Sequence, residues 1–445
     1  MSHRMGKLPP GPRMPRALQA VGWTQRPLPW LERCQRRYGD TFTLRILHWG
    51  DWVILADPAD VKKVFTAGPA VGVASANPML KPVLGPTSVM LREEPDHMVH
   101  RKMMLPSFHG KAVGADAAMM AEIARREVEK WPVGEPFAMW PRMQAITQEV
   151  VMRAVFGDDR GRLDELRRRL GRLTEWMNDS RNLALLATVG PDRIVRGRGY
   201  REAMEPVEEA VLEEARRRRA EPDPDRVDVV EMLVQTRYED GELLGEAELR
   251  DELLTLLTDG PTSTSLAWTF ERLLRNPDKL ERTREEALAG EDTTYLDAVI
   301  KETLRLRPPV PVVVRRLLEP MTLGGYDLPA GTVVAPCIHL IHRDARHYEE
   351  PDRFLPERFV GVQPGTYTWI PFGGGVRRCL AASYAEMEMK RVLRTVLATV
   401  DLRPASSRSE RMRKSAISFS PDQSGLVIAE PRETEEAGSP TLAAV

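Results

Sequence analysis

Apolar residues recur at helical spacing along most of this chain. Between Leu249 and Arg275 one face is drawn by Leu253, Leu254, Leu256 and Leu257, then by Leu266, Trp268, Leu273 and Leu274. Leu296 to Leu306 repeats the pattern and stops before Pro308-Pro309, which cannot continue a helix. Met389, Val392, Leu393, Val396, Leu397 and Val400 predict another buried face near the C-terminus. Trp30 to Tyr38 predicts a short amphipathic helix, and helical patterns dominate from about Asp60 onward. Strand signals are few. Thr41 to Leu47 and Trp52 to Leu55 flank His48, Trp49, Gly50 and Asp51, which predicts a hairpin. Val312 to Val314, with Thr332 to Val334, predicts strands of a small sheet, and no repeat occurs at solenoid periods.

Composition narrows the function classes. The 445 residues are 42% hydrophobic and 29% charged, as in a soluble globular chain. Lys+Arg number 64 against Asp+Glu 65, so no basic excess points to nucleic acid. Three cysteines, Cys34, Cys337 and Cys379, cannot build a disulfide framework and fit a reducing cytosol; Cys34 and Cys337 read as ordinary half-buried residues. No apolar run reaches eighteen residues, so no membrane span is expected, and Met1 to Lys7 lacks the apolar core of a signal peptide. Residues 1–12 form a proline-rich lead around Pro9, Pro10 and Pro12. The polar, patternless residues 433–445 are expected to be a disordered tail. Arg216 to Arg219 reads as the solvated end of a helix, and Pro222 to Asp225 as a loop.

The strongest chemical signal is Pro371 to Ala381, where three glycines and two arginines lead into Cys379 and the C-terminal helical pattern. A cysteine feeding a helix N-terminus meets unpaired backbone N–H groups and a positive partial charge. Arg377 and Arg378 add full charges, and all of these favour the thiolate. The glycines let backbone approach something flat and bulky. A thiolate so held suits an axial ligand to haem iron. The whole pattern, Phe-x-x-Gly-x-Arg-x-Cys-x-Ala over Phe372, Gly375, Arg377, Cys379 and Ala381, resembles the haem-binding signature of the cytochrome P450 family. Ala381 stands where Gly is usual.

Other motifs resemble the same family. His97 and Arg101 lie four apart on a helical pattern, and the run from Glu94 to Phe108 looks like the family's haem-propionate helix. His100 falls on another face. Glu302 and Arg305, three apart, resemble the family's Glu-x-x-Arg element. Pro356 to Phe359 supplies Arg358 as the third member of a structural triad expected to hold the cysteine loop. Arg315, rather than Arg316, takes the place of an arginine that pairs with a haem propionate, and His342-Arg343-Asp344 reads as structural.

One stretch departs from the family. Its members carry an acid and an alcohol over the iron, which deliver protons during dioxygen activation. This chain reads Thr258 to Ser265 as Thr-Asp-Gly-Pro-Thr-Ser-Thr-Ser. Aligned from Gly260, Thr262 and Ser263 take those two places; aligned from Leu266 to Trp268, Gly260 and Pro261 do. Two helical residues are about 200° of rotation and roughly 3 Å of rise, so no regular helix satisfies both. A break near Gly260-Pro261 is expected. Asp259 is a candidate substitute acid, and Thr262 or Ser263 a candidate hydrogen-bonding alcohol. The plainer alternative is that these hydroxyls only satisfy broken backbone bonds.

The resemblance implies a mainly α fold with a small β region, one domain over residues 13–432, with b-type haem between the broken helix and the Cys379 loop. It implies a cytoplasmic, bacterial-type monooxygenase. Two electrons would come from a ferredoxin or flavodoxin with its reductase, and one oxygen atom of O₂ would enter an apolar small molecule. Arg378, Lys390 and Arg391 are candidates for the donor's docking surface. The altered helix keeps a peroxide-using enzyme in view, together with a haem-thiolate isomerase, dehydratase or coupling enzyme and a non-catalytic haem-binding protein. Residues 71–91, 176–195 and 415–419, expected to line the substrate pocket, hold Leu, Met, Val and Asn and suggest a hydrophobic guest without naming it.

Overall fold

The computed structural model describes residues 4–5, 8–77, 80–108, 111–157, 163–179, 181–182, 185, 189, 191–223, 225–226, 228–258, 260–290, 293–415 and 418–432. Asp259, residues 433–445 and parts of the expected pocket segments lie outside them.

Helices dominate. In chain order they are α1 (Arg16–Gln25), α2 (Pro27–Tyr38), α3 (Pro58–Thr66), α4 (Lys81–Leu84), α5 (Asp96–Met104), α6 (Lys111–Val128), α7 (Met139–Phe156), α8 (Asp164–Asn178) and α9 (Pro191–Val195). They continue as α10 (Arg198–Ala220), α11 (Val229–Gln235), α12 (Glu246–Leu257), α13 (Pro261–Leu274), α14 (Pro277–Ala289), α15 (Thr294–Leu306), α16 (Ile338–His342) and α17 (Ala382–Thr399). Local chemistry sets several starts. Asp57 accepts from the Ala59 and Asp60 amides ahead of Pro58, Asp228 caps α11 at Glu231, and Glu248 reaches back to the Gly245 amide to close α12.

The largest core forms where α6, α7, α13, α15 and α17 meet, around Met120, Ile146, Leu266, Phe270, Val299, Leu304, Val392 and Leu397. A second core joins α7, α8, α10, α11 and α12. The largest sheet has five strands, in the order Thr41–Ile46 (β2), Gly50–Leu55 (β3), Val333–Pro336 (β9), Arg315–Leu317 (β6) and Val71–Gly72 (β4). Arg4–Met5 (β1) pairs with Tyr326–Leu328 (β8), itself paired with Met321–Leu323 (β7). Pro136–Ala138 (β5), Val400–Pro404 (β10) and Leu426–Pro431 (β13) form a third sheet, and Met412–Ser415 (β11) pairs with Ser418–Pro421 (β12). The mainly α architecture with small sheets, the hairpin at residues 41–55 and the helices at residues 30–38 and 296–306 all match expectation.

Three readings change. Val312 to Val314 lies outside the ladder; the strand begins at Arg315, and the Val313 amide reaches across to the Pro336 carbonyl. The arginine run is not wholly solvated: Arg218 is buried among Glu214, Asp228, Glu231 and the Phe156 carbonyl, because the next helix folds back with its acids against α10. Cys34 and Cys337 are fully buried, and burial pushes their thiols up to about 11 and about 12. The proline lead lies along β2: the Pro9 and Pro10 carbonyls accept from the Thr43 hydroxyl and amide. A Cβ at Gly11 would stand 1.9 Å from the Thr43 carbonyl oxygen.

Candidate functional site

The cysteine loop is closed by its own backbone. The Cys379 amide donates to the Phe372 carbonyl at 2.9 Å, and the Gly373 and Arg378 amides donate to Ile370 and Gly375. Gly373 and Gly375 adopt φ values of 71° and 64°, a region costly to residues with a Cβ. Close approach demands two of the glycines as well. A Cβ at Gly375 would sit 1.9 Å from the Phe65 carbonyl oxygen, and one at Gly374 2.3 Å from the Phe65 ring. What these two glycines admit is therefore α3, a neighbouring helix the sequence reading did not foresee in that role. Phe372 is half-buried, edge-on to Trp369, and Arg378 lies over its ring. Cys379 itself is exposed, three residues before the first turn of α17.

Four of the expected cofactor contacts come together beside the loop. His97 and Arg101 lie on α5, Arg315 on β6 and Arg377 in the loop. His97 Nδ1 lies 2.7 Å from Glu94 Oε1. Burial first, and Arg377 second, push its imidazole down to about 4, which leaves it neutral at physiological pH. Burial lowers Arg101, and the nearby Cys379 sulfur works the other way, so α5 and the loop face each other electrostatically. Arg315 is buried and pushed down to about 10 by desolvation, then by Arg377; one of its Nη atoms donates to the Val314 carbonyl. Arg316 is turned outward to the Ser75 and Gly331 carbonyls.

Arg377 is the most telling. Its ion pairs to Glu93 and Glu94 are long, 3.7 and 3.4 Å, and both buried Nη atoms make no hydrogen bond to the described residues. Buried donors rarely stay unmatched. With Arg101 and Arg315 beside it, the cluster is short of anionic acceptors and fits a group bearing carboxylates.

Glu302, Arg305 and Arg358 meet as expected. Arg305 grips both Glu302 oxygens at 2.7 and 2.8 Å, all buried, and Arg358 Nε approaches Glu302 at 3.3 Å. Their hold on the cysteine loop is indirect. The triad binds the His342, Pro351 and Arg353 carbonyls and the Leu355 amide. His342 then completes the path: its Nδ1 lies 3.2 Å from the Arg305 carbonyl, and its Nε2 accepts from the Ile370 amide, two residues before Phe372.

The predicted helix break is present. The first half ends at Leu257, and Pro261 opens α13 at its first position, where a missing N–H costs no helix bond. Thr262 and Ser263 are buried on α13. Ser263 donates to the Gly260 carbonyl at 3.0 Å, Ser265 to Pro261, and Thr258 to Leu254 and Thr255, so much of the hydroxyl content satisfies backbone at the break. Thr264, which the sequence reading passed over, is buried and its hydroxyl has no hydrogen-bond partner among the described residues. His100 was also passed over. It is buried between α5 and α12, where Glu252 and Tyr238 are its partners. Of the expected docking residues, Arg378 and Arg391 are exposed, whereas Lys390 is tied to Asp297 at 3.1 Å. No described helix is long and apolar enough to cross a membrane.

A cysteine at the mouth of a backbone-closed loop, backed by a helix and faced by converging cations, defines a haem-thiolate protein. The chain belongs to the cytochrome P450 family, whose sequence model, Cytochrome P450, matches residues 7–427. A protein that carries the name cytochrome P450 135B1 in Mycobacterium tuberculosis is 43% identical over 420 residues, covering 91% of this chain and 87% of that one. Another from that organism, named cytochrome P450 137, is 37% identical over 436 residues, covering 93% and 89%. Among solved structures, a retinoic-acid-bound cyanobacterial CYP120A1 superposes with a TM-score of 0.83 at 22% identity, covering 96% of this chain and all of that one. The haem domain of cytochrome P450DA gives 0.80, also at 22%, covering 96% and 98%. The family implies a haem cofactor and a monooxygenase activity in general.

Proposed function

We propose that this chain inserts one oxygen atom of O₂ into an apolar small molecule, within a single domain over residues 13–432. Its haem would be of the b type, held without covalent links. The electrons would come from a separate ferredoxin or flavodoxin with its reductase, in the cytoplasm. The observation that carries the reading is the under-satisfied Arg377 guanidinium in the same loop as the exposed Cys379. Bound there, a thiolate-ligated haem supplies reductive activation of O₂, one atom going to substrate and the other to water.

The chain's own part is positional. Cys379 Sγ would ligate the iron, kept anionic by the α17 N-terminus and Arg101. Arg101, Arg315 and Arg377 would grip the haem carboxylates, with neutral His97 adding a hydrogen bond. Phe372 and Gly375 shape the loop. Thr262, Ser263 and Asp259 are the candidates, from the sequence, for handling water and protons.

The altered sequence at the break favours a second reading, a peroxide-using enzyme, because neither alignment puts a carboxylate in the acid's usual place. One comparison separates the two. Purified haem-loaded protein with a bound apolar ligand is assayed with NADPH and a surrogate ferredoxin system, and separately with hydrogen peroxide alone. Product with the reductase chain supports the monooxygenase. Product with peroxide only replaces it with the peroxygenase.

A further inference from the structure

A cluster of buried titratable groups outside the cysteine loop and its triad lies between α5, α12 and the segment joining α4 to α5. Glu252 and His100 are both buried, with His100 Nδ1 3.1 Å from Glu252 Oε1. The other ring nitrogen of His100 lies 2.9 Å from the Tyr238 hydroxyl, which donates to Glu248 Oε1 at 2.7 Å. Glu248 also takes Arg92 at 2.6 Å and is partly exposed, as is Tyr238. Glu252 Oε2 accepts from the Val89 amide at 3.1 Å. Beside them the Ser88 and Thr255 hydroxyls meet at 2.7 Å, one turn before the helix break. Leu253, Leu254 and Val89 belong to a core against which Leu380, the residue after Cys379, packs.

We propose that Glu248, Tyr238, His100 and Glu252 form a proton relay from the surface to the broken helix, doing by a side route what the missing acid does in relatives. The proposal rests on the monooxygenase reading above. The hydrogen-bond inventory closes with Glu252 protonated. Its O–H donates to His100 Nδ1, His100 Nε2–H donates to Tyr238, and Tyr238 donates to the Glu248 carboxylate. Burial raises the Glu252 carboxyl in the same direction. The other charged groups nearby are Arg92, on Glu248, and Asp251 with Arg250, which face Thr87 instead. Release of the Glu252 proton inward leaves a carboxylate; the imidazole then takes its Nδ1–H form and donates to Glu252, and the Tyr238 hydroxyl turns to Nε2. A proton taken up at Glu248 passes to Tyr238 as Tyr238 gives its own to Nε2 and Nδ1 gives its own to Glu252, which restores the resting chain. Only O–H and N–H bonds change, and no electron moves. From Glu252 to Thr258 is about 9 Å of helix, with the Ser88–Thr255 pair midway.

Glu252→Gln keeps the shape, can still donate to His100 and accept from Val89, and carries no transferable proton. With the reductase chain, product per NADPH should fall about tenfold or more, the lost equivalents appearing as hydrogen peroxide. Peroxide-driven product from the same variant should stay within about twofold of the parent. Tyr238→Phe, at the partly exposed end, should give a smaller fall of the same kind. Independently of turnover, the parent should show an infrared band of a dry protonated carboxyl that shifts in D₂O and is missing from Glu252→Gln. Equal losses in both assays would mean a merely structural role and overturn the relay, as would unchanged coupling or absence of the band. If the parent itself makes product only with peroxide, the monooxygenase reading fails, and the infrared band alone decides for or against the proton store.

Discussion

The two walls of the site are built on opposite principles. The cysteine wall is rigid and over-determined. Its loop is closed by backbone, two of its glycines are pressed against Phe65, and a buried Glu302–Arg305 pair stands behind it through His342. The helix wall is interrupted. One helix ends at Leu257 and the next begins at Pro261, and the Ser263 and Ser265 hydroxyls donate to backbone carbonyls there. Ligation needs one atom in one place, so its support tolerates little. Proton handling can be moved to another side chain, so its element can be cut and the chemistry rerouted.

That contrast can be broken most directly at Cys379. Cys379→Ala should abolish reductase-driven product and the carbon monoxide spectrum of a thiolate-ligated haem; a retained thiolate-type spectrum would void the assignment. Next comes Glu302→Ala, which strands a buried guanidinium at a cost of roughly 3–5 kcal/mol. Haem loading should collapse, and full loading would show that the triad does not govern the loop. Gly375→Ala should cost both loading and thermal stability, because the obstacle is backbone. Gly374→Ala should be partly rescued by Phe65→Ala, because the obstacle there is a ring.

A pH titration sharpens the same point on the supporting side. Burial holds His339 and His342 down to about 4 and about 3. The unfolded chain therefore binds more protons than the folded one below about pH 6.5. Stability should fall as pH drops from there toward 4, each histidine costing at most about 1.4 kcal/mol for every pH step of about one. A flat denaturant midpoint across that window would contradict it. The smallest effect belongs to the helix wall. Pro261→Ala should change stability by less than about 1 kcal/mol, since proline at a first helical position fixes φ without losing a bond. A large loss would mean the break is strained rather than accommodated.

Legibility followed the same divide. Phe372, Gly375, Arg377 and Cys379 were readable because their spacing is local and each type has a distinct job. Glu302 and Arg305 were readable for the same reason, and the two-residue mismatch around Gly260 announced the break. The rest depended on partners distant in sequence. His100, set aside because it falls on another helix face, gained a partner only when α12 supplied Glu252, 152 positions away. Arg218 looked solvated until Asp228 and Glu231 folded back on it. Phe65, which dictates two of the glycines, gives no signal in a local reading.

The contact between Phe65 and the glycine pair has a consequence for protein engineering. The cysteine loop and α3 are one mechanical unit, although some three hundred positions separate them. A chimaera that imports a cysteine loop from another family member without the facing helix inherits a mismatched seat. Libraries that diversify the loop alone should be dominated by unfolded or cofactor-poor clones, whereas libraries that vary position 65 together with position 374 should yield functional diversity.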